Sequence, residues 1–279
     1  MAATDTRVRV ADGVYLHVRR WPGERRPFLL VHGLSSNARL WDGVAAELSA
    51  AGHPVYAVDL RSHGDSDAPP DGYDTATAAE DLAALGLTGV IAAGQSWGGS
   101  VVVTLAAKHP EVVAALALVD GGWYDPASEF PSWEAAADAL RPPDIDGLPA
   151  DELRGYLRRG HPDWSAEAIE ATLGNMRIWP DGTLSRRLPV DKHMLIVRSM
   201  WDDPPNRYYA SVTVPVLLLP ALPASPAKAT ARRSRARLAA AALDDATVHE
   251  YPDSDHDLHA QRPREVAADL LELARRVDL

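Results

Sequence analysis

Gly94-Gln95-Ser96-Trp97-Gly98-Gly99 follows the apolar run Val90-Ile91-Ala92-Ala93 and precedes Ser100 to Lys108, a stretch that can continue as a helix. Strand, tight turn and helix, in that order, give a G-x-S-x-G pattern a mechanical meaning. Such a turn holds its serine in a strained backbone conformation, so side chains two residues to either side collide; glycine at 94 and 98 removes them. Ser96 is then exposed at the carboxyl edge of a sheet, and the amide of Trp97 points toward whatever Ser96 attacks. Alone the pattern is weak, because glycine and serine also populate plain strand–helix turns. The rest of the chain decides.

Upstream, Val8-Arg9-Val10 and Val14 to Arg19 flank Asp12-Gly13 and read as a hairpin. Pro27-Phe28-Leu29-Leu30-Val31 is a continuous apolar run, the mark of a strand buried on both faces, and it ends in His32-Gly33-Leu34. A helix from Trp41 to Ala50, a strand from Pro54 to Asp59 and a helix from Thr75 to Leu85 follow. Beyond the serine turn, Val113 to Val119 is the sixth strand and ends at Asp120-Gly121-Gly122. Strands alternating with helices make an α/β fold, a mostly parallel eight-stranded sheet flanked by helices.

At Trp123 the texture changes. To about Asn206 there are no strand-like runs, only short helical segments (Trp133–Leu140, Asp151–Arg159, Ser165–Asn175, Asp191–Trp201) between Pro/Gly-rich loops, with five of the eight tryptophans. Alternation resumes with the strand Val214–Leu219, a helix Lys228–Leu243, a strand Thr247–Tyr251 and a closing helix Arg264–Val277. The expected organisation is a core of residues 1–122 and 206–279, with a helical cap, residues 123–205, inserted after the sixth strand.

Bulk properties narrow the function. The formal charge of -11 argues against nucleic acid or an anionic membrane as partner. Cysteine is absent, which removes disulfides, thiolate metal sites and a cysteine nucleophile. No apolar run reaches about 18 residues, so no membrane span is expected. The start, Met1 to Arg7, has no long apolar core, so a cytoplasmic protein without a secretory signal is expected.

His32-Gly33-Leu34 after the third strand, Gly94 to Gly99 after the fifth, Asp255-His256 near the end, and the loop Asp59-Leu60-Arg61-Ser62-His63-Gly64-Asp65-Ser66 together resemble the α/β-hydrolase superfamily over essentially the whole chain. Ser96 is then the nucleophile, and a hydroxyl needs a base within hydrogen-bond reach. Ten histidines are available. The resemblance selects His256, on the loop between the last strand and last helix, with His259 as the fallback. Most members carry the acid after the strand that is here Val214–Leu219. This chain has no Asp or Glu between Pro204 and Leu243. Some members place it at the end of the preceding strand, which implies Asp120, with Asp125 and Glu129 as substitutes; the carboxylate would orient the imidazole and stabilise the imidazolium. The implied oxyanion hole is the pair of backbone amides of Leu34 and Trp97. His32, Asp59 and His63 read as loop organisers. The basic run Arg232, Arg233, Arg235 and Arg237 reads as a solvated helix face.

A serine nucleophile without a cofactor or metal points to acyl chemistry on a small molecule. The acid placement is also that of zearalenone-type lactonases, and the tryptophan-rich cap tilts the expectation toward a bulky apolar or aromatic ester or lactone. Trp123, Trp179 and Met200 are the expected pocket lining. Acyltransferase, cyclase and C–C bond hydrolase chemistry would use the same residues, and a non-catalytic small-molecule binder is the competing class.

Overall fold

The computed structural model describes residues 2–278. Strands β1 (Thr4–Ala11) and β2 (Val14–Trp21) form the expected hairpin, followed by β3 (Phe28–Val31), helix α1 (Asp42–Ala50), β4 (Val55–Val58), α2 (Thr75–Ala83), β5 (Val90–Gln95), α3 (Trp97–Lys108) and β6 (Val113–Val119). The segment after β6 holds α4 (Pro126–Glu129), α5 (Trp133–Ala139), α6 (Ala150–Gly160), α7 (Ala166–Leu173), β7 (Met176–Ile178), β8 (Leu184–Arg186) and α8 (Val190–Asp202). The chain closes with β9 (Val216–Leu219), β10 (Ala221–Leu222), α9 (Pro226–Ala241), β11 (Ala246–Val248), β12 (Tyr251–Pro252), α10 (Leu258–Gln261) and α11 (Pro263–Val277).

Eight strands make one sheet in the order β1-β2-β4-β3-β5-β6-β9-β11. All neighbours from β4 to β11 run parallel, and β1–β2 and β2–β4 are antiparallel. The central strands are continuous apolar runs because both faces are covered. Alternate residues feed opposite layers: Leu29, Val31, Ala92, Leu116 and Leu118 pack with α2 and α3, whereas Phe28, Leu30, Ile91, Ala93 and Ala117 pack with α1 and α11. The strand order reverses about β3, with β4 on one side and β5 on the other. That reversal opens a crevice at the carboxyl ends of β3 and β5, where open parallel sheets bind ligands.

One expectation about local structure is corrected. The segment after β6 is not strand-free: β7 and β8 form an antiparallel hairpin, with Met176 opposite Arg186. Its strands are three residues each and carry Arg177, Ser185 and Arg186, so neither length nor hydrophobic pattern marked them. A further short pairing lies outside the main sheet, where Ala221-Leu222 runs parallel to Tyr251-Pro252.

Among the described residues no helix is long and apolar enough to cross a membrane.

Candidate active site

Ser96 sits between β5 and α3 with φ +52° and ψ −121°, a conformation that L residues adopt only when the surroundings impose it. The imposition is steric and reciprocal. A Cβ on Gly94 would lie 2.2 Å from the Gly98 carbonyl oxygen, and one on Gly98 would lie 2.5 Å from the carbonyl oxygens of Val31 and His32. β5, α3 and the end of β3 therefore approach more closely than any side chain allows.

Asp120 ends β6, the strand next to β5, and also has a left-handed φ, +43°. The chain turns there through Gly121, whose α-carbon faces the Ser96 backbone: a Cβ would fall 2.2 Å from the Ser96 carbonyl oxygen. Serine and acid turns are thus packed against each other. The Asp120 side chain is buried, and its carboxylate accepts three hydrogen bonds: from the Ala221 amide to Oδ1 (3.1 Å), and to Oδ2 from His256 Nδ1 (2.6 Å) and Arg232 Nη1 (2.7 Å). Arg232 also donates to the Ala221 carbonyl at 3.1 Å. The expectation that the basic run on α9 is simply a solvated face is corrected at Arg232. The reason is tertiary: its partner lies on the end of β6 and no local pattern points there.

His256 is carried by the loop after β12. Gln95, the buried residue before the serine, donates through Nε2 to the His256 carbonyl at 3.1 Å and ties that loop to the end of β5. From the inserted segment, His161 Nδ1 and Trp164 Nε1 both donate to Asp255 Oδ2, at 2.8 and 3.1 Å. Desolvation disfavours the protonated His256 ring, whose side chain is 47% exposed, but the Asp120 hydrogen bond and charge outweigh it, so the pKa stands above the ordinary imidazole value; Arg232 opposes that rise. Ser96 and His256 line the same cavity, with no hydrogen bond between them among the described residues. Such bonds are often long in unliganded sites and tighten around substrate. His259, the fallback base, is fully buried against Trp41, with both ring nitrogens unpartnered and the pKa pushed down to about 3 by burial. It is cut off from the cavity that holds Ser96.

The amide of Trp97 opens α3, where first-turn N–H groups lack intrahelical partners and the helix dipole is positive. Leu34 lines the cavity after Gly33, and a Cβ on Gly33 would lie 2.9 Å from the Ser96 Cβ. Two histidines hold the Leu34 loop. His32 Nε2 accepts from the Leu60 amide (3.0 Å) and His63 Nε2 from the Ser35 amide (3.1 Å), while their Nδ1 atoms reach the carbonyls of Gly33 (2.7 Å) and Arg61 (2.8 Å). An amide must donate and a carbonyl must accept, so both rings are neutral with the proton on Nδ1. Burial keeps them so: the His32 pKa is lowered, and that of His63 is pushed down to about 3. Asp59 joins in, accepting from the amides of Ala38 (2.7 Å) and Asp65 (3.0 Å).

The cavity measures about 470 Å³ and is lined by Leu34, Trp97, Trp123, Tyr124, His193, Val197 and Met200, with Arg232 and Arg235 at one wall. Of the three residues expected to line the pocket, Trp123 and Met200 lie on this wall and Trp179 does not. Trp179 stands 44% exposed at the turn of the β7–β8 hairpin, its Nε1 donating to Ser185 Oγ at 3.1 Å. Asp125 and Glu129 are also elsewhere engaged, Asp125 capping α4 and Glu129 pairing with Arg235 at 2.9 Å. Gln95, Arg232 and His193 were missed. His193 joins Ser35 Oγ from α8 at 2.9 Å, linking the inserted segment to the Leu34 loop. Among the described residues no cluster of three or more His, Asp or Glu is arranged to hold a metal ion.

Known proteins share this architecture. A solved structure of E-2-(acetamidomethylene)succinate hydrolase superposes with a TM-score of 0.77 at 26% identity, over 98% of this chain and 99% of that one. A thermophilic esterase from Thermogutta terrifontis gives 0.73 at 23% identity over 99% of each chain, a likeness of fold. Among curated sequences, the chain is 32% identical over 162 residues to 2-(acetamidomethylene)succinate hydrolase of Mesorhizobium japonicum, covering 56% of each, and 31% identical over 173 residues to a non-heme chloroperoxidase of Streptomyces lividans, covering 55% of this chain and 62% of that one. A putative non-heme haloperoxidase of Mycobacterium phage D29 is 36% identical over 115 residues, or 41% of its length. The chain thus spans less than two thirds of the curated relatives it matches. The model of the alpha/beta hydrolase family matches residues 28–269, and with a parallel sheet and a strained serine turn at its switch point, the chain belongs to that family.

Proposed function

We propose that the chain hydrolyses a carboxylic ester or lactone of a bulky, apolar or aromatic small molecule through an acyl-enzyme on Ser96. The observation that carries this reading is the convergence of three turns on one apolar-walled cavity: the strained Ser96, and His256 hydrogen-bonded to Asp120. In the proposed reaction His256 Nε2 takes the Ser96 proton as Oγ attacks the carbonyl carbon. The carbonyl oxygen gains charge between the amides of Leu34 and Trp97. Asp120 holds the ring in the Nδ1–H tautomer and stabilises the imidazolium, which then protonates the leaving alcohol. Water, deprotonated by the same ring, releases the acid and restores Ser96.

The test is turnover of p-nitrophenyl esters of graded acyl length and of a phenolic macrolactone by wild type and Ser96→Ala. Loss of activity by about 10⁴-fold or more in the variant is expected. Equal turnover by the two proteins would refute the nucleophile assignment, and binding without turnover by either would favour a non-catalytic role.

One observation favours a second reading. Arg232 and Arg235, paired with Asp120 and Glu129, both stand at the cavity wall, and the similar solved hydrolase is named for a succinate derivative. A carboxylate-bearing amide assayed beside those esters tests it, and turnover of the esters alone would refute it.

A further inference from the structure

The acid at the end of β6 needs something to hold it, and the structure has a feature there that the reaction does not itself require. Asp120 Oδ2 accepts from two donors at once, His256 Nδ1 at 2.6 Å and Arg232 Nη1 at 2.7 Å, while Oδ1 is held by the Ala221 amide at 3.1 Å. Arg232 is itself fixed by a second acceptor, the Ala221 carbonyl at 3.1 Å. The guanidinium therefore bridges the main chain after β9 to the carboxylate. Both bonds leave one nitrogen, Nη1, whose two hydrogens serve the two acceptors in directions fixed by the guanidinium plane; a lysine ammonium is a point charge on a flexible stem. Asp120 itself stands on a left-handed backbone with a buried side chain, where an unpaired carboxylate would be costly.

We propose that Arg232 is a positioning residue of this site: its guanidinium, reaching from α9, clamps the Asp120 carboxylate in the orientation that receives the His256 ring and moderates the charge that the ring feels. The proposal rests on the reading of His256 as the base. Two effects follow from one contact. The clamp keeps Oδ2 aimed at Nδ1, and the permanent cation beside Oδ2 offsets part of the carboxylate charge, which keeps the imidazole less basic than Asp120 alone would make it. The charged and titratable groups facing the ring are Asp120 from β6, Arg232 from α9, Asp257 from its own loop and neutral His259 from α10.

The test combines an NMR titration of the His256 imidazole with the pH profile of kcat/KM on p-nitrophenyl acetate. The proteins are wild type, Arg232→Gln, Arg232→Lys and, as a same-helix control, Arg237→Gln, whose guanidinium pairs with Glu250. Arg232→Gln is expected to raise the His256 pKa and shift the acid limb of the profile upward by about half a pH unit or more, a screened value for a partly exposed cation. Its kcat should fall about tenfold. Arg232→Lys retains the charge, so it should keep the pKa near wild type while losing part of kcat. Arg237→Gln should change neither. A His256 titration in Arg232→Gln that superimposes on wild type overturns the proposal, whether or not kcat falls, because a purely structural arginine would leave it in place. The NMR arm needs no turnover. If Ser96→Ala keeps full activity, the hydrolase reading fails by itself and the titration still decides on Arg232.

Discussion

Replacing Gly121 by alanine should damage the site from behind, without touching a reacting group. A Cβ at this position would stand 2.2 Å from the Ser96 carbonyl oxygen and 2.4 Å from its Cα and N. These are backbone atoms of a residue already held at positive φ, so no side-chain rotation relieves the contact. Overpacking typically costs about 1–3 kcal/mol, and a clash with rigid main chain belongs at the top of that range. At about 2–4 °C per kcal/mol for a domain of this size, roughly 3 kcal/mol lowers Tm by about 6–12 °C. If the two turns separate to make room, Ser96 and Asp120 move apart by something near 1 Å, which costs about 100-fold in turnover. Gly160→Ala, at the end of α6 with open space around the added methyl, is the control and should be neutral or stabilise by up to about 1 kcal/mol. Thermal unfolding followed by circular dichroism, with ester turnover on the same samples, reads both effects. A Gly121→Ala protein with the Tm and kcat of wild type would refute the idea that the serine and acid turns are interlocked.

Asp120→Asn should lower kcat by about 10⁴-fold, whereas Asp125→Asn and Glu129→Gln stay within a few-fold; the reverse order in an esterase assay would move the acid. His63 and His259, held near pKa 3 by burial, would return to about 6.5 on unfolding. The unfolded chain then binds more protons below that value, so stability is full above pH 6.5 and declines as pH falls toward 3. His259→Leu removes one such group, and its urea midpoint should fall less steeply than wild type between pH 7 and 5, while parallel slopes would contradict the assignment. Trp123→Ala should raise KM for long or aromatic esters several-fold and Trp179→Ala should leave it unchanged, and steady-state kinetics showing the opposite would relocate the pocket wall.

The strands, the serine turn and an aspartate at the end of the sixth strand were legible because each is written locally. Phe28–Val31 and Val90–Ala93 are apolar on both faces, Gly94 and Gly98 flank Ser96 at the spacing the turn demands, and the missing carboxylate after β9 left Asp120 as the strand-end alternative. The β7–β8 hairpin did leave a trace. Trp179-Pro180-Asp181-Gly182 is turn chemistry of the x-P-D-G kind, and Trp179 belongs to that turn. Composition alone could not tell which face of the inserted segment each tryptophan occupies. Arg232 left no trace at all, being one arginine among four on a helix, with a partner 112 residues away.

Ser96 and Asp120 end adjacent strands, with Gln95 opposite Val119 in register, and the helix between them belongs to a single β-α-β unit. Their backbone separation is therefore a property of 31 consecutive residues, Val90 to Asp120, which close few long loops and form as a local piece. His256 arrives from the far end of the chain, through the short edge strands. Disturbances at that edge, such as insertions in the loops around β11, should scatter the histidine while leaving the serine–aspartate backbone spacing intact. Tolerance to sequence drift is in this sense unequally shared: two corners of the triangle are built as one part, and the third is delivered to them.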